Sequence, residues 1–170
     1  RASELDPLSN ITTNALGITF VWMRNYPEAL RWFDRAISLA PDVPYPYFKK
    51  AGLYLLWEGN TEKARAVVEE ALKSIRSPDI WLVNLLITLD VYEGNYQKAL
   101  DRLSLKAEDL DDLEFFIPSA MPYADIYRYM NDNDSAKKCY DKARNTLDDK
   151  VRQDPNDARH RRALGIASAG

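Results

Sequence analysis

One cysteine, Cys139, and one histidine, His160, are the only thiol and imidazole among 170 residues. An internal disulfide needs two thiols and the common zinc sites need several Cys or His ligands, so the sequence points to neither. Glycine is scarce, with six residues, and none falls in a GxGxxG, GxxxxGK or GxSxG spacing. The backbone signatures of phosphate-cradling loops and nucleophile elbows are therefore missing. No stretch approaches the roughly 18 consecutive apolar residues of a membrane-spanning helix, and the first residues show no signal-peptide pattern. Basic charge is not in excess either: the formal net charge is -3 and the pI about 5.3, unlike the basic field that neutralises phosphates. These absences give the expectation of a cytoplasmic chain without catalytic residues, cofactor or metal, whose partner is a protein or peptide and not a nucleic acid or membrane.

What is present is an apolar fraction of 46%, enough for a continuous core, and a period. Four segments align: "NYPEALRWFDRAISLAP", "GNTEKARAVVEEALKSI", "GNYQKALDRLSLKAEDL" and "DNDSAKKCYDKARNTLD". Their anchoring alanines, Ala29, Ala64, Ala99 and Ala136, are spaced 35, 35 and 37 residues apart. One helical turn later stand Phe33, Val68, Leu103 and Tyr140, and a turn beyond those Ala36, Ala71, Lys106 and Ala143. Small, large, small on one helix face is a pattern for close packing.

A second helical stretch precedes each anchor. Leu16-Gly17 and Ala51-Gly52 occupy equal places in the first two units, where small residues let helix axes come within about 8 to 10 Å. Turn residues separate the two stretches: Asn25 and Pro27, Gly59 to Thr61, Gly94-Asn95, and Asn131 to Asp134. Glycine and asparagine tolerate the left-handed backbone that ends one helix, and Asn, Thr and Asp cap the next. Pro41 stops the second helix of its unit.

Leu16-Gly17, Phe20, Asn25-Tyr26, Ala29, Phe33, Ala36, Leu39 and Pro41 together resemble the tetratricopeptide repeat family across one whole unit. The resemblance implies an all-α, right-handed α-solenoid of antiparallel helix pairs whose concave face binds peptides or partner proteins. It implies repeats over residues 10–43, 44–78, 79–114 and 115–157. Residues 1–9 stand as the end of a preceding repeat, on the spacing of Ala2, Leu5 and Pro7, and residues 158–170 as a truncated fifth one, on Leu164-Gly165. The segment then reads as a piece of a longer array whose exposed ends stack against other copies. Phrases such as "WFDRAISLAP" and "RHRRALGIA" resemble arrays attached to bacterial regulatory proteins. An RNA-binding array of pentatricopeptide type has a similar period but is opposed by the acidic balance. A third alternative is a regulatory domain whose catalytic domain lies outside the segment.

By the same resemblance, residues of the first helices line the groove. Trp22, Trp57, Tyr92 and Tyr129 recur seven residues before each anchor, and flat aromatic rings there offer contact area at low entropic cost. The alternative is packing between neighbouring first helices. In the second unit a register shifted by one is open as well, with Tyr47, Ala51 and Tyr54 inward. The other groove candidates are Asn14, Ile18, Val21, Lys49, Leu53, Asn84, Thr88, Asp125, Arg128, Arg159 and Arg162. Ile18 and Leu53 stand where the family's clamp for C-terminal EEVD-type peptides needs asparagine, so chaperone-tail binding is not expected.

The irregular stretch is "KAEDLDDLEFFIPSAMP", where Pro118 and Pro122 oppose a continuous helix. Residues 107 to 134 hold eight acids and one base, a negative patch that reads first as a solvated loop. Asp132-Asn133-Asp134 lacks the glycine and distal glutamate of a calcium loop. Cys139, beside Lys137 and Lys138, reads as a half-buried structural thiol more than an activated one. Arg159 and Arg162 are expected to face the groove, with His160 and Arg161 turned toward neighbouring helices or solvent. From Ala136 to Pro155 the sequence adds about two helical turns, which predicts a long second helix in the fourth unit.

Overall fold

The apolar rhythm folds as helices joined by tight left-handed turns. A computed structural model describes residues 9–76, 80–105, 108–111 and 115–169. Ala2, Leu5, Pro7, Lys106, Asp112 and Glu114, used in the sequence argument, lie outside the described residues. The helices are α1 (Asn10–Trp22), α2 (Tyr26–Leu39), α3 (Pro44–Glu58), α4 (Thr61–Ser74), α5 (Ile80–Tyr92), α6 (Tyr96–Ser104), α7 (Ala120–Tyr129), α8 (Asn133–Gln153) and α9 (Ala158–Ala169). Between α6 and α7 lie two short antiparallel strands, β1 (Leu110–Asp111) and β2 (Phe116–Ile117).

Each first helix ends on a residue of positive φ: Arg24 at 58°, Gly59 at 61°, Gly94 at 75° and Asn131 at 60°. They recur at the intervals that separate the anchoring alanines, so the turn is part of the repeat. The next helix is then capped. Asn25 Oδ1 accepts from the Glu28 N–H at 3.5 Å, Asn60 Oδ1 from the Lys63 N–H at 2.8 Å, and Asp132 Oδ1 from the Ser135 N–H at 3.1 Å. Asp132 is thus a helix cap, and its carboxyl is held below the usual range by these hydrogen bonds to Ser135.

The chain forms two compact units, one up to Glu93 and one from Gly94 onward. In the first, α1 packs on α2, α3 on α4, and α5 against both α3 and α4. Ala29, Phe33 and Leu53 are buried together, with Ile18, Phe20 and Val21 around them. A larger cluster joins Tyr47, Ala51, Ala64, Val68 and Ala71 to Leu82, Leu86 and Leu89. Gly17 is the close contact of the first pair: a Cβ placed there would stand 2.5 Å from Phe33 Cε1. Gly52, its counterpart in the second unit of the period, meets nothing within 4 Å, so its small size is not a packing requirement. That corrects the equivalence drawn from sequence.

In the second unit α8, 21 residues long, buries Ala136, Tyr140, Ala143 and Leu147 along one face. It packs against α7 on one side and α9 on the other. Phe116 of β2 is buried with Ala120, Met121, Ala163 and Ala167, so the acidic stretch also contributes to the core. Pro118 stands before α7, but Pro122 lies inside its first turn, where a missing N–H costs nothing.

Candidate functional site

In the first unit the first helices α1, α3 and α5 are neighbours in that order. Trp22, Trp57 and Tyr92 stand at their C-terminal ends, 83%, 41% and 63% exposed. Trp57 leans on Tyr26, with ring centroids 5.6 Å apart, while the other rings stand further into solvent. Lys49 is half-buried, its ammonium 4.9 Å from the Tyr45 ring centroid and 5.4 Å from that of Phe48. Asn84 and Thr88 are half-buried, and Thr88 Oγ1 donates to the Asn84 carbonyl at 3.0 Å.

Two of the groove candidates belong to the core instead. Leu53 is buried against Ala29 and Phe33, because Tyr47 and Ala51 take the inward places of α3 and rotate Leu53 down onto the preceding pair. The register shifted by one is therefore the one that forms in α3, although Tyr54 is only partly buried. Asn14 is buried as well, in α1, and its Oδ1 accepts no hydrogen bond among the described residues. Ile18 is half-buried beside the same cluster.

The second unit holds a cleft of about 220 Å³. Its walls are Phe115 to Ile117 of the hairpin, Met121, Pro122 and Asp125 of α7, and Arg159, Arg162, Ala163 and Ile166 of α9. Phe116 is buried in the core cluster, with Ile117 packed against it, and both also contribute to the cleft wall beside the half-buried Phe115. The Arg162 guanidinium lies 4.6 Å from the Phe115 ring centroid. Arg159 is more constrained, with its Nη1 2.9 Å from Asp111 Oδ1 and its Nη2 2.6 Å from Asp157 Oδ2. This side-chain pairing with Arg159 lowers the Asp157 carboxyl to about 2 and raises Arg159 further above its ordinary value.

Asp125 accepts from the Tyr140 hydroxyl at 2.5 Å and lies 3.7 Å from Arg128. Burial, then this hydrogen bond, pushes the Tyr140 phenol up to about 12. Tyr129 is 51% exposed and stacks parallel to Tyr96, with centroids 6.4 Å apart. His160 is buried edge-on to Phe116 at 4.8 Å, its Nε2 3.7 Å from Asp157 Oδ2, with neither ring nitrogen hydrogen-bonded among the described residues. Burial also pushes the Cys139 thiol up despite Lys142, which leaves no basis for an activated nucleophile there.

Asp125, Arg159 and Arg162 are thus the three sequence candidates that the fold gathers at one cavity. The apolar half of that cavity, "FFI" at Phe115 to Ile117, was missed. Its signal was an apolar triplet directly after an acidic run, overshadowed by the charges.

The pairing of α7 with α8 also fits a known repeat. Residues 123–143 match a protein-family model described as tetratricopeptide repeat, within which Ala136, Tyr140 and Ala143 fall. The solved structure of YrrB, described as a TPR protein with an unusual peptide-binding site, is similar over 99% of this chain and 80% of its own, with TM-score 0.61 and 20% identity. The fold is that of a tetratricopeptide-repeat protein. A further similar solved structure is that of Naa15/Naa10 bound to HypK-THB, at TM-score 0.58 and 20% identity over 98% of this chain and 24% of that one. In sequence, the tetratricopeptide repeat-containing protein trd-1 of Caenorhabditis elegans is 28% identical over 115 residues, 64% of this chain. The chain spans 15% of that relative's length. No helix among the described residues is long and apolar enough to cross a membrane.

Proposed function

We propose that this chain is a protein-interaction scaffold that binds a partner segment or domain, working by surface and not by covalent chemistry. The observation that carries the reading is the recurrence of Trp22, Trp57 and Tyr92 as exposed rings at the same end of three neighbouring helices. Large aromatic side chains held in water are costly unless something covers them, and Trp and Tyr are the residues that most often dominate binding surfaces. The peptide-binding site named for YrrB supports the same reading by fold likeness. The finer part of it, a scaffold within a regulatory assembly of bacterial type, is supported by sequence phrasing.

The test is capture of partners on immobilised chain, compared with a Trp22→Ala, Tyr92→Ala variant whose circular dichroism is unchanged. Proteins retained by the wild type and released by the variant are the expected result. Equal retention on both, or none on either across several extracts, would sink the reading.

A further inference from the structure

We draw no further inference here: the strongest candidate, the open side of α9 at Gly165, where an added Cβ meets nothing within 4 Å while the matching Gly17 of α1 is abutted by Phe33, is an uncovered helix face, and nothing in the structure shows what covers it.

Discussion

The two compact units solve the same packing problem with different polar fastenings. In the first, Arg65 of α4 reaches Asp90 of α5 at 2.7 Å and Glu93 just beyond it at 2.7 Å, and Asp90 is completely buried. In the second, a hydrogen bond from the buried Tyr140 links α8 to Asp125 of α7, whose side chain is half in water. A charge sealed inside one unit and a charge left at the edge of a cleft in the other make different demands. A buried carboxylate depends on its cation, because low dielectric penalises any loss of compensation. A half-exposed one can fall back on solvent, which also leaves it available at a binding surface.

Arg65→Ala should therefore produce the largest effect, destabilising the chain by about 3 kcal/mol, the low end for breaking a buried pair because Arg65 and Glu93 retain some solvent access. Denaturant titration measures the loss, and hydrogen exchange should place it in α4 and α5. The double change Arg65→Met, Asp90→Leu should recover most of it by replacing charge with apolar volume. A loss below about 1 kcal/mol in the single variant would mean that Asp90 does not depend on this cation.

Tyr140→Phe should cost less, about 1 kcal/mol at neutral pH, since Asp125 can be rehydrated. The pH dependence has a definite sign. Burial, and then Asp125, raises the folded phenol to about 12 from its ordinary 10, so the folded state holds this proton more tightly. Stability from this group is complete below about pH 10 and is lost as pH rises through the window up to about 12. Urea titrations on both sides of that window should show a steep alkaline fall in wild type and a shallower one in Tyr140→Phe. Parallel falls would assign the alkaline loss to other groups.

The repeat was legible because its packing is local and periodic. Ala29, Ala64, Ala99 and Ala136 are all buried, and so are Phe33, Val68, Leu103 and Tyr140 one turn later. Helical spacing alone places such residues on one face. What escaped the sequence depended on contacts that no period encodes. The β1–β2 ladder spans two residues on each side, too short for an alternating pattern to register. Leu53 and Asn14 sat in groove places by alignment, yet a rotation of α3 by one residue and the closeness of α1 to its neighbours turned them inward. The cleft was half visible, since Asp125, Arg159 and Arg162 were recognisable as charges but Phe115 to Ile117 drew no attention as their apolar complement.

The smallest effect tests the difference between a conserved-looking place and a required atom. Gly17 and Gly52 hold equal positions in successive periods, yet only Gly17 faces a ring, with Phe33 Cδ1 and Cε1 within 2.6 Å of any added Cβ. Alanine at Gly17 has to displace a buried phenylalanine. At Gly52 the same methyl meets nothing within 4 Å, and the helix α3 continues on both sides. Glycine inside a helix costs backbone entropy that alanine does not, so Gly52→Ala should stabilise the chain by roughly half a kcal/mol. In a thermal melt this is a rise of about 1 to 2 °C. A fall in melting temperature would show that α3 needs a glycine at this position for a reason other than room, such as a backbone approached by a partner on its open side.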